Sequence, residues 1–227
     1  MAFISLLLNY LETPQYLRKS LFKLEPDLEY AGILPPLRTP HHPTSGKTKH
    51  LKLGEYREGL VLSETAEGLQ VEIGVQQPTL LRQKNFSVGE RLTLQVIKIG
   101  GRVEVQAVNR DEVPLYWGYQ VQAEKQPFGQ IISKGNFDLI IATARIGDSF
   151  TSVAESLSKR WQGAERILVA FGAPTRGLHE IAGDEGLELP KIADFVVNTV
   201  PNQGTVTVRM EEALFASLAI LNVQFTW

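Results

Sequence analysis

Two short apolar runs late in the chain, ILVAF at residues 167–171 and FVVNTV at residues 195–200, restrict the fold more than any other feature. They are unbroken rather than alternating, the pattern of strands covered on both faces of a parallel sheet. Each ends in a loop of conformationally special residues: Gly172, Pro174 and Gly177 after the first, Asn198, Pro201, Asn202, Gln203 and Gly204 around the second. Glycine lets a backbone approach a ligand, proline stiffens the approach, and amide side chains supply donors and acceptors. A third stretch, DLIIATARIG at residues 138–147, has the same form of strand, small-residue loop and helix start. Ligands bind at the carboxyl ends of parallel strands, so the three loops are expected to line one pocket.

Upstream the hydrophobic period changes. Residues 58–65, 69–75, 79–82, 91–99 and 102–108 are short alternating runs, separated by Glu67-Gly68, Gln77-Pro78, residues 87–89 and Gly100-Gly101. Five strands at this spacing predict a small closed barrel, with Gly100-Gly101 turning a hairpin. Such barrels often bind oligonucleotides, yet Phe86, between the third and fourth runs, is the only aromatic in residues 58–108. No base-stacking platform is visible, so RNA contact and a rigid insert both stay open.

The remaining segments read simply. Residues 1–12 form a helix with an apolar face from Phe3, Leu6, Leu7, Leu8 and Leu11, and Pro14 starts a second over residues 15–20. Residues 29–43 hold Pro35, Pro36, Pro40 and Pro43 and make an extended connector. Residues 148–161 are a helix capped by Asp148 or Ser149. Residues 179–190, with Asp184, Glu185 and Glu188, read as an exposed acidic loop, and His179 ahead of them as a surface residue before a base. The last helix, residues 207–222, aligns Met210, Leu214, Leu218 and Leu221 and places Glu211 and Glu212 at its positive end.

With 227 residues, 43% of them apolar, the chain is globular. The absence of cysteine excludes disulfides and thiolate chemistry, and no metal site is expected. The apolar run at residues 3–8 is too short for a bilayer and lacks the flanks of a signal peptide, so a cytoplasmic protein without a membrane partner is expected. A net charge of −2 makes no overall case for nucleic acid. Residues 38–57, however, carry Arg38, His41, His42, Lys47, Lys49, His50, Lys52 and Arg57 against Glu55 alone, either a phosphate-contacting loop or a solvated one.

The polar motifs resemble one family. VNTVPNQGTVTVRMEEA at residues 197–213 is similar to the C-terminal knot signature of the SPOUT class of S-adenosylmethionine-dependent RNA methyltransferases. YLETPQYLRK at 10–19, GILPPLRTPHHP at 32–43 and YWGY at 116–119 look like the archaeal and eukaryotic branch of that class, whose knot domain carries an inserted β-barrel. The likeness runs from about residue 6 to residue 222. It implies an α/β fold: a trefoil-knotted SPOUT domain from residues 1–53 and 113–227, and an OB-like five-stranded barrel at 54–112. Relatives have a further strand, helix and strand ahead of the first helix, to which nothing here corresponds. Ala144 and Ala173 stand where Ser and Gly are usual.

The same resemblance implies bound S-adenosylmethionine. Its expected contacts are Thr143, Arg145, Gly172, Gly177 and Leu178, then Asn198, Thr199, Val200, Gln203, Gly204 and Thr205, over an apolar floor of Val200, Ile146 and Leu178. Arg145 is expected to be the catalytic residue that orients the target nucleotide or its phosphate; an ion pair with a nearby carboxylate is the alternative. Arg38, His41, His42, Lys47 and Arg57 are the expected RNA contacts. The family reading adds a homodimer through the knot domain and methylation of ribosomal RNA at uridine N3. The alternative is a catalytically silent RNA-binding or ribosome-assembly factor.

Overall fold

The structure is a computed structural model that describes residues 2–225; Met1, Thr226 and Trp227, which fall in the expected knot domain, lie outside the described residues. The chain divides between Ala123 and Glu124 into two compact units.

In the first unit, helices α1 (Ala2–Glu12) and α2 (Gln15–Leu21) lead into a connector broken only by single 3-10 turns. The alternating runs become β1 (Tyr56–Thr65), β2 (Gly68–Glu72), β3 (Thr79–Leu81), β4 (Arg91–Lys98) and β5 (Glu104–Ala107). They close into a barrel in the order β1-β2-β3-β5-β4, with β3 and β5 parallel and the other pairs antiparallel. Along β4 the alternation is literal: Leu92, Leu94 and Val96 are buried while Thr93 and Gln95 are half-exposed. They join Val61, Leu69, Val71, Ile73 and Leu81 in one core, each such side chain stabilising the barrel by about 2 kcal/mol. Gly100 and Gly101, at φ 103° and 61°, make the β4–β5 turn.

A buried polar cluster ties the helices and connector to this barrel. The Glu12 carboxylate, 4% exposed, accepts from Arg91 Nη1 at 2.8 Å and Nη2 at 3.1 Å, while Arg91 Nε donates to Glu58 Oε2 at 2.7 Å. Thr93 Oγ1 donates to Glu58 Oε1 at 3.0 Å, and the Trp117 indole N–H donates to the same oxygen. His41 and His42 both donate from Nε2 to the Glu12 carbonyl, at 3.1 and 2.7 Å. Gly118 passes through the cluster at φ 81°, where a Cβ would lie 2.7 Å from Glu12 Oε1 and from His41 Nε2. The YWGY segment therefore has a packing role.

This cluster corrects part of the RNA-contact expectation. His41, His42 and Arg57 are buried, the last bound through Nε to Glu55 Oε1 at 2.6 Å, so their side chains serve the fold rather than a phosphate backbone. Arg38 and Lys47 are exposed.

The second unit is a parallel sheet in the order β7-β6-β8. Its elements are α3 (Phe128–Lys134), β6 (Leu139–Ser149), α4 (Phe150–Trp161), β7 (Ile167–Ala170), α5 (Leu178–Asp184), α6 (Leu189–Ile192), β8 (Phe195–Asn198) and α7 (Met210–Gln224). Both faces are covered, which is why the strands read as unbroken apolar runs. Leu139, Ile141 and Val197 pack with Leu157, Trp161 and Leu221 on one face, and Ala142 and Ala170 with Leu178, Ala182 and Leu189 on the other. At the strand entrances, Asp138 accepts the N–H groups of Glu165 and Arg166 at 2.9 and 3.0 Å, and Asp194 accepts that of Ile140 at 2.8 Å.

Three sequence expectations change here. The acidic stretch 179–190 is not a loop but mostly α5 and α6, because Leu178 and Ala182, one turn apart, are buried against the sheet. Its Glu185 accepts the N–H groups of Phe128 and Gly129 at 2.7 and 2.8 Å, anchoring α3, a helix the sequence did not announce. The last helix begins at Met210 rather than Thr207, with Glu212 Oε2 accepting the Arg209 N–H at 3.0 Å. Among the described residues no helix is long and apolar enough to cross a membrane.

Burial alone would raise the Glu12 pKa, but hydrogen bonds from His41 and Arg91 outweigh it and hold the group at about 2, below its ordinary 4.5. A depressed carboxylate stabilises the fold above its unfolded pKa and loses that contribution as pH falls through the folded one. The shift corresponds to about 3 kcal/mol, lost between pH 4.5 and 2. Urea unfolding across that window is expected to show wild-type protein losing more stability than Glu12→Gln; parallel curves contradict the assignment.

Candidate active site

The site begins with an interruption in strand pairing. Thr143 and Asp148 of β6 both stand opposite Val197 of β8, so residues 144–147 loop out between them. Gly147 makes the return possible: a Cβ there would lie 2.8 Å from the Val196 carbonyl oxygen and 3.0 Å from its carbon. Two neighbours hold successive carbonyls of the loop, Asn198 Nδ2 donating to Arg145 O at 3.0 Å and His179 Nε2 donating to Ile146 O at 2.9 Å.

The other loops are braced to it. Thr143 Oγ1 donates to Ala170 O at 2.9 Å, joining β6 to the end of β7. Ala173 and Arg176 exchange backbone hydrogen bonds of 2.8 and 3.3 Å across a tight turn. Gln203 Nε2 donates to Thr205 O at 2.9 Å, and Arg145 Nη1 to Val206 O at 3.2 Å. Buried Thr199 and Ser217 pair through their hydroxyls at 2.7 Å, fastening the β8 loop to α7.

Together the three loops and the start of α7 enclose a cavity of about 620 Å³. Of the expected contacts, Thr143, Arg145, Gly172, Gly177 and Leu178 line it, as do Asn198, Thr199, Val200 and Gln203. Gly204 and Thr205 do not; Thr205 instead offers its carbonyl to Gln203. Ile146 lines the cavity but is 74% exposed, which puts it on the rim rather than the floor. Sequence reasoning missed Val206, Val208, Met210 and Ala213, because the helix was started too early and the loop ahead of it cut short. It also missed Arg176, whose guanidinium pairs with Asp184.

Arg145 is exposed and makes no ion pair with a described residue, so the structural alternative for it is not realised. A cavity with apolar walls from Val200, Met210 and Ala213, bare backbone at Gly172 and Gly177, and one guanidinium without a described carboxylate partner suits a ligand with a flat apolar part and anionic or carbonyl oxygens. A second cavity of about 480 Å³, with Asp148, Pro190, Asp194 and Val196 in its lining, shares only Ile146 and His179 with the first.

A family model described as "Putative RNA methyltransferase" matches residues 1–221. An uncharacterized protein of Haloarcula marismortui is 36% identical over 97% of this chain and 80% of its own length. The 28S rRNA (uridine-N(3))-methyltransferases of Homo sapiens and Drosophila melanogaster are 33% and 34% identical over 95% of this chain. The chain spans 58% and 45% of the length of those two proteins.

The Gly147 contact is with backbone, which does not yield. Gly147→Ala is expected to cost about 2 kcal/mol of stability in urea unfolding. Gly163→Ala, with nothing within 4 Å, is expected to cost nothing measurable.

Proposed function

The chain belongs to the family of putative RNA methyltransferases, and we propose that it transfers the methyl group of S-adenosylmethionine to N3 of a uridine in ribosomal RNA. The observation that carries this reading is the convergence of three strand-end loops on one cavity, with an arginine in its wall that touches the Val206 carbonyl and pairs with no described carboxylate. The base and the position come from the names of the human and Drosophila relatives.

The residues present fit the donor. Gly172 and Gly177 let backbone come close to an adenine edge, and Val200, Met210 and Ala213 supply apolar wall. When bound, S-adenosylmethionine supplies an electrophilic methyl carbon on a sulfonium. Asn198 and His179 fix the 144–147 loop, and the loop carries Arg145 to the cavity. Arg145 then grips oxygens of the target nucleotide and balances negative charge that develops on them. Little more is needed, since methyl transfer depends chiefly on alignment of nucleophile and carbon.

In this reading residues 1–53 and 113–227 form a SPOUT domain threaded as a trefoil knot, and residues 54–112 an inserted OB-like barrel. Arg38 and Lys47 remain as exposed RNA contacts. The homodimer contact falls on α7, an apolar helix that leaves Phe215 77% and Val223 89% exposed.

Calorimetry is expected to show S-adenosylmethionine binding with a Kd of about 1 μM, near −8 kcal/mol. No binding favours a silent RNA-binding factor. Arg145→Ala is expected to lower turnover about a hundredfold while leaving donor affinity within a few fold; equal losses in both remove Arg145 from its role toward the nucleotide.

A further inference from the structure

Methylation at uridine N3 requires a proton acceptor, because N3 of the neutral base carries a hydrogen and its lone pair is delocalised into two carbonyls. Arg145 cannot accept a proton, and no residue assigned above does so. Resting on the uridine-N3 reading of the site, we propose that His179 takes that proton.

The hydrogen-bond chemistry sets its tautomer. A carbonyl oxygen only accepts, so the 2.9 Å contact between His179 Nε2 and Ile146 O places the hydrogen on Nε2. In the neutral ring Nδ1 is then a bare acceptor, and no described residue hydrogen-bonds to it. On protonation the ring gains a hydrogen at Nδ1 and keeps its bond to Ile146, so the brace on the loop survives the proton transfer.

Its position is the second observation. His179 and Ile146 alone belong to the linings of both cavities and so stand where the two meet. The first cavity suits the methyl donor. The second, at about 480 Å³, has room for one unstacked nucleobase, and in the proposed arrangement its N3 edge lies at that junction, beside His179 and open to the donor. Arg145 lies one residue from the Ile146 carbonyl that His179 holds, which brings a cation to the same wall for the base oxygens.

Atoms and charge balance. The electron pair of the N3–H bond stays on N3 as its proton passes to His179 Nδ1. N3 then bonds the methyl carbon as the pair of the carbon–sulfur bond leaves with sulfur. The charged groups that line the two cavities with His179 are Arg145 and Asp148 from the β6 loop, Arg176 ahead of its own helix, Glu180 on that helix, and Asp194 ahead of β8. Asp194 is held by Arg160 at 2.8 Å and Arg176 pairs with Asp184, while Asp148 shares the lining of the second cavity with His179.

His179→Gln tests the assignment, since the glutamine amide keeps an N–H donor for Ile146 O but does not titrate. Thermal unfolding is expected to match wild type, which certifies the fold, and donor affinity by calorimetry to stay within a few fold; a loss of donor affinity as large as the loss of rate makes His179 a donor-binding residue and overturns the proposal. Single-turnover methylation of ribosomal RNA from cells lacking the protein is expected to fall at least about a hundredfold, and its pH profile to lose the wild-type inflection and rise steadily with hydroxide. In wild type labelled with 15N-histidine, the His179 Nδ1 resonance is expected to shift with a decauridine RNA and to stay put with its N3-methylated counterpart. A wild-type pH profile in His179→Gln, or an Nδ1 resonance that ignores both RNAs, overturns the proposal alone. Wild-type protein that binds no donor overturns it together with the methyltransferase reading.

Discussion

Gly147 passes so close to the backbone of Val196 that no side chain fits, and this contact lets β6 rejoin β8 at Val197 after giving up four residues to a loop. Everything at the cavity follows from that return. Because pairing resumes, the detour is closed at both ends, and its carbonyls at Arg145 and Ile146 are presented to Asn198 and His179. Each hydrogen bond is worth only about 1 kcal/mol. Their effect is geometric: a short loop with both ends paired and two carbonyls held has few conformations left, so the backbone that carries Arg145 is fixed at the edge of the cavity.

The first unit is organised by a different force. Glu12, Glu58 and Arg91 are removed from water and compensate one another through charge-assisted hydrogen bonds, with His41, His42 and Trp117 completing the set. A buried charge left without a partner is strongly destabilising, so the cluster tolerates the loss of no member easily. It joins a helix end, the proline-rich connector, two barrel strands and the segment after the barrel. Packing adds to it, with Leu51 of the connector in the barrel core and the Trp117 ring against Tyr56, so charge and apolar contact hold these pieces together.

What the sequence revealed follows the range of the interactions. The strands of the sheet were legible because burial on two faces leaves a local mark, an apolar run, and the loops because glycine, proline and asparagine are local devices. The barrel was legible from alternation, as in Leu92, Leu94 and Val96. The return of β6 to Val197 was not, since it depends on a partner about fifty residues away. Helix α3 escaped notice for the same reason, its anchoring carboxylate Glu185 lying 57 positions from Phe128. His41, His42 and Arg57 misled because composition counts charge without seeing burial. The family resemblance supplied what local pattern lacked, above all the choice of ligand for three converging loops.

Helix α7 belongs to two surfaces at once. Met210 and Ala213 wall the cavity, and Ser217 is fastened to Thr199 at the end of β8, while Phe215 and Val223 stand out in water. Any body that seats on those outer side chains restrains the same rigid rod that shapes the pocket. Should seating there shift the helix, thermodynamic reciprocity makes occupancy inside and contact outside change one another's affinity by an equal factor.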